Sequence, residues 1–72
     1  MEYQKLVNAI IVQAADDYRE AYKILKNDYT DTKARKTFMD CELFFVSKWF
    51  EQLTNLDGYD LLQRLKAEFI SN

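Results

Sequence analysis

Val7, Ile11, Ala14, Tyr18, Ala21 and Leu25 recur at alternating steps of four and three. That spacing puts them on one stripe of an α-helix for about five turns. The pattern predicts a long first helix from about Glu2 to Lys26, with Lys23 and Lys26 complementing the negative end of its dipole. A short polar stretch, Asn27 to Thr32, follows, in which Thr30 or Asp31 can cap a second helix starting near Asp31. So short a connection folds helix two back on helix one as an antiparallel hairpin. Ser47 is a capping residue inside the next apolar run, which places a bend or break there and an end to the helical path near Thr54. Asp57-Gly58-Tyr59-Asp60 reads as a new helix start with Asp57 as cap. The last helix then carries Leu61, Leu62, Leu65 and Phe69 on one face.

On a wheel at about 100° per residue, Phe38, Met39, Cys41, Leu43, Phe45, Val46, Trp49, Phe50 and Leu53 cover an arc of roughly 200°. One neighbour cannot cover that arc, so helix two is expected at the centre, between helix one and the last helix. Phe44 falls at roughly 240°, among Asp40, Ser47, Lys48 and Glu51, and is expected to point away from both neighbours. Val12 and Tyr29 are further apolar outliers. Glu42 and Asp17 break the pattern the other way, as carboxylates among apolar positions. Each must be neutral, reach water, or pair with a cation or donor, and Arg35, two turns before Glu42, is the first candidate for that residue.

The expected fold is therefore all-α: a small antiparallel three- to four-helix bundle with a long N-terminal helix, residues 1–72 forming one domain. One Gly and no Pro leave too little turn chemistry for a multi-strand sheet. The 72 residues lie at the size where a single core only just offsets chain entropy, so packing or oligomerisation must supply the stability.

Composition narrows the chemistry. Without histidine and with only one cysteine, the chain offers no Ser-His-Asp or Cys-His arrangement, no disulfide and no common zinc site. Asp17 and Glu42 lack the Glu-x-x-His partner of di-metal bundles. The segment Leu53 to Arg64 also fails as a calcium loop, because Leu53 and Arg64 occupy ligand positions. No catalytic residue, metal or cofactor is expected. Net charge is −2 with eleven aromatic side chains, which disfavours a whole-domain grip on nucleic acid and favours protein contacts. The candidate partner-binding residues are Phe44 and Phe50, with Lys33, Arg35 and Lys36 as a basic patch around the first turn. The last helix as a DNA reader is disfavoured, because Asp60 sits where phosphates approach.

The opening residues have no charged leader before an apolar core, and no uninterrupted apolar stretch exceeds the four residues of Leu43 to Val46. No export signal or membrane span is expected, and a free Cys41 fits a reducing compartment, the cytoplasm of a host cell.

The run Glu42 to Leu62, notably Phe44-Phe45-Val46-Ser47-Lys48-Trp49-Phe50 and Asp57-Gly58, together with Ala9 to Arg19 upstream, resembles small helical proteins of prophages and mobile elements in Gram-positive bacteria. The resemblance brings no catalytic motif. It implies a compact protein that acts by occupying a host or phage protein, inhibition of a bacterial defence system such as a CRISPR nuclease being one such action. The alternative is a structural or regulatory oligomer that binds nucleic acid or a nucleotide through the basic turn.

Overall fold

The structure, a computed structural model, describes residues 2–71 as four helices with no strand among them: α1 (Glu2–Asn27), α2 (Thr32–Phe45), α3 (Lys48–Leu53) and α4 (Gly58–Ser71). Each boundary has a local cause. Asp31 caps α2, its carboxylate accepting from the Ala34 amide at 2.9 Å. Ser47 caps α3 by accepting from the Phe50 amide at 3.1 Å, and its hydroxyl donates to the Phe44 carbonyl at 2.7 Å. The side chain of Asp57 accepts from the Asp60 amide, which satisfies one of the free donors at the start of α4. The break at Ser47 is thus held from both sides: one hydroxyl closes α2 and opens α3.

α1 and α2 form the expected hairpin. Its core stripe on α1 is the one the periodicity marks, with Val7, Tyr18 and Ala21 buried and Ile11, Ala14 and Leu25 half-buried. On α2 the buried set is Ala34, Cys41 and Phe45, with Phe38 packed beside it. α4 starts against Phe45, since a Cβ on Gly58 would overlap the Phe45 carbonyl oxygen. It ends level with Tyr22, whose ring stacks on Phe69 with centroids 3.8 Å apart. α4 therefore runs antiparallel to α2 and parallel to α1, and closes the bundle with Leu62 and Leu65.

The core is narrower than the sequence arc. Met39, Leu43, Val46 and Trp49 were expected inside, yet each is at least half exposed. Two causes combine. α4 covers the Phe38–Glu42 side of α2 and leaves the Met39–Leu43 side open, and the helix path ends at Phe45, so a single wheel does not apply beyond it. The same break corrects two site expectations. Phe50 is fully buried, 0 % exposed, because α3 turns its ring into the space beside Phe45 and Gly58. Phe44 does not point freely into solvent: it is half-buried, with the rings of Phe45, Trp49 and Phe50 edge-on at 5.4–5.5 Å.

Candidate functional site

Polar contacts among the described residues tie the helices together. The buried hydroxyl of Tyr18 on α1 donates to Glu42 Oε2 on α2 at 2.8 Å, and Lys66 Nζ on α4 approaches the same oxygen at 3.5 Å. Glu42 is partly buried, as its position required, but Arg35 is not its partner. Seven residues separate the two along α2, a rise of about 10 Å, whereas Tyr18 and Lys66 arrive directly from the neighbouring helices. Burial first, then the hydrogen bond to and the charge of Glu42, push the Tyr18 phenol far above its ordinary value. At the far end of α4, Arg19 grips Glu68 through two bonds of 2.9 Å. That fork holds the Glu68 carboxyl below the usual carboxylate range.

Asp17, expected to be embedded, is exposed and accepts a bond from the Gln13 amide at 2.9 Å. Its wheel position lies inside the apolar arc of α1, but the face it shares with Ile10 opens onto a groove instead of a packed neighbour. The basic residues do not form one patch. Lys33 lines the α1 side of α2, whereas Arg35 and Lys36 share the outer side with Met39 and Leu43, and Lys36 is paired to Asp40 at 2.9 Å. Residues 33 and 35 lie about 200° apart around a helix, so closeness in sequence does not bring all three to one face.

A shallow apolar groove of about 430 Å³ lies between α1 and α2, lined by Ile10, Ala14, Cys41, Phe44 and Trp49, with Asp17 and Asp40 beside it. Ala9 and Ala14 on α1 are small; half-buried Phe44 and Trp49, 56 % exposed, supply the groove's aromatic lining. Desolvation, helped by the charges of Asp17 and Asp40, pushes the Cys41 thiol up and keeps it protonated at neutral pH. The groove offers apolar contact and hydrogen-bond acceptors. It has no activated nucleophile, and no group of metal-ligating side chains converges among the described residues.

Trp49 is the residue the sequence reading placed wrongly and the groove most needs. Ser47 as a cap was the available signal: a helix restarted there re-aims residue 49 independently of α2. Other apolar side chains are also at least half exposed: Met39 and Leu43 on α2, Val46 just after it, and Tyr59 and Ile70 at the two ends of α4. No helix is long and apolar enough to cross a membrane among the described residues. No protein family, curated protein or solved structure gives a match to this chain.

Proposed function

We propose that the chain is a non-enzymatic protein-binding module that engages its partner through the groove at Phe44 and Trp49. The observation that carries this reading is the groove itself: a shallow, widely open apolar surface with aromatic lining and a half-exposed tryptophan, the composition of a contact hot spot. The resemblance to prophage and mobile-element proteins supplies the setting. The partner is then a host or phage protein, the place of action is the host cytoplasm, and the action is occupation of that protein, blocking a defence effector being the case in point. Binding of nucleic acid or a nucleotide through the basic turn is less well supported, because Lys33 faces α1 while Arg35 and Lys36 lie on the outer side of α2, so the three do not converge on one phosphate.

The experiment compares immobilised wild-type protein with Trp49→Glu in a Gram-positive lysate, with retained proteins identified by mass spectrometry. Trp49 is exposed enough for the variant to keep the helical circular-dichroism spectrum. A host protein held by the wild type, lost by the variant and still held at moderate salt supports the reading. Identical capture by both, or capture that collapses with salt as phosphate-driven binding does, overturns it.

A further inference from the structure

The furrow between α1 and α2 continues beyond Phe44 and Trp49. At Asp17 it meets a second hollow of about 210 Å³, whose walls include Glu20 and Ile24 of α1 and Lys33 and Thr37 of α2. From Ile10 to Ile24 the furrow follows α1 for about 21 Å, the length of a four-turn helix. α4 packs on the opposite side of the hairpin, where Lys66 meets Glu42 and Phe69 stacks on Tyr22, so this side is left open.

Carboxylates outnumber cations on the two walls. Asp17 on α1 and Asp40 on α2 stand level with Cys41, close enough for both to act on its thiol. Asp17 makes no ion pair among the described residues and is held only by Gln13. Asp40 is paired with Lys36, but that pair is 59 % and 77 % exposed, a kind of contact worth little and easily exchanged. Glu20, farther along, is exposed and also makes no ion pair among the described residues. Lys33 is the one cation among the described lining residues, and it lies at the end away from Trp49.

A helix laid in such a furrow turns its i, i+3 or i+4, i+7 side chains to the floor and its flanking positions to the walls. Flanking carboxylates would meet like charge on both sides, whereas flanking ammonium or guanidinium groups would be complemented on both. We propose that the furrow receives an amphipathic helix of the partner protein, its apolar stripe seated on Ile10, Phe44 and Trp49 and its two flanks carrying Lys or Arg opposite Asp17 and Asp40. This rests on the protein-binding reading and gives the partner's chemistry. A second copy fits less well, because the outer stripe of α2, Met39 and Leu43 with Val46 just beyond it, is flanked by Asp40 and Glu42 as well as by Arg35 and Lys36.

Trp49 is the chain's only tryptophan and reports directly on the site. The probes are two synthetic, tryptophan-free helical peptides of about eighteen residues with the same leucine stripe, one flanked by lysine and the other by glutamate. The lysine peptide is expected to shift Trp49 emission to the blue, saturably, and to bind at least about tenfold tighter than the glutamate peptide at about 0.1 M salt. Asp17→Lys should weaken it by about tenfold, while Asp60→Lys, the same charge change on α4, should not. Equal affinity for both peptides, no shift with either, or equal weakening by both variants overturns the proposal. Self-association in sedimentation that Asp17→Lys abolishes would assign the furrow to a second copy and overturn it too. If the lysine peptide fails while the lysate partner is still lost in Trp49→Glu, the helix occupant falls and the protein-binding reading stands. If the peptide binds while capture ignores Trp49, the protein-binding reading fails instead.

Discussion

Tyr18 concentrates much of the energetics of the bundle in one side chain: its ring stacks on Phe38 and contacts Phe69, and its hydroxyl is spent on Glu42. Glu42→Gln should be mild, since an amide oxygen still accepts that bond and only the attraction to Lys66 is lost. Glu42→Ala leaves a buried hydroxyl without its acceptor and should cost about 1–3 kcal/mol in urea unfolding. Comparable midpoints for both variants would remove the hydroxyl from the account. The direction of the Tyr18 shift also has a sign. Its folded pKa is raised above the ordinary 10.0, so the contribution is complete below that pH. It is lost as pH rises above it, because the unfolded chain gives up the proton first. Thermal unfolding should therefore show an alkaline decline that is smaller in Tyr18→Phe. The sequence showed that Glu42 needed a partner, because its wheel position is apolar. It did not show which partner, because Lys66 comes from a helix whose placement depends on packing.

At the scale of elements, the stripe of α1 and the caps at Ser47 and Asp57 were readable, and that of α2 to within Thr30 or Asp31, since periodicity and N-cap chemistry are local. The orientation of α3 was not, because a wheel carried through Ser47 assumes a helix that has already ended. That one assumption put Trp49 in the core and left Phe44 without the neighbours that α3 brings to it. Ser47→Ala removes both the acceptor for Phe50 N–H and the donor to Phe44, and should cost about 1–2 kcal/mol. Gly58 is required for a different reason. Its φ is not positive, so no special backbone conformation demands it. The demand comes from the α2–α4 approach, where an added methyl meets the Phe45 carbonyl and the Phe50 ring. Gly58→Ala should destabilise by at least about 1–3 kcal/mol, the range for overpacking, despite the better helix propensity of alanine. A neutral or stabilising result in urea unfolding would show that α4 does not press so closely on α2.

For the molecule as a whole, the surplus of aromatic and aliphatic side chains noted in the sequence does reach the surface, but elsewhere than Phe44 suggested. Met39 and Leu43 are more than half exposed, so Met39→Gln with Leu43→Gln should leave the unfolding midpoint within about 0.5 kcal/mol of wild type. Loss of stability would place those side chains against an unseen neighbour, most simply a second copy, which sedimentation of the same samples would reveal. The molecule measures 40 × 24 × 20 Å, and α1, with 26 residues, runs nearly the whole of the longest dimension while α2 and α4 have 14 each. One continuous helix thus passes from a sparsely covered start, where Tyr3 and Leu6 are about 60 % exposed, to a middle enclosed on two sides around Tyr18. Its backbone amides should therefore exchange with deuterium along a slope, not as a block. Amides near Leu6 would open by local fraying within the native state, whereas those around Tyr18 would wait for the α1–α2 hairpin itself to come apart.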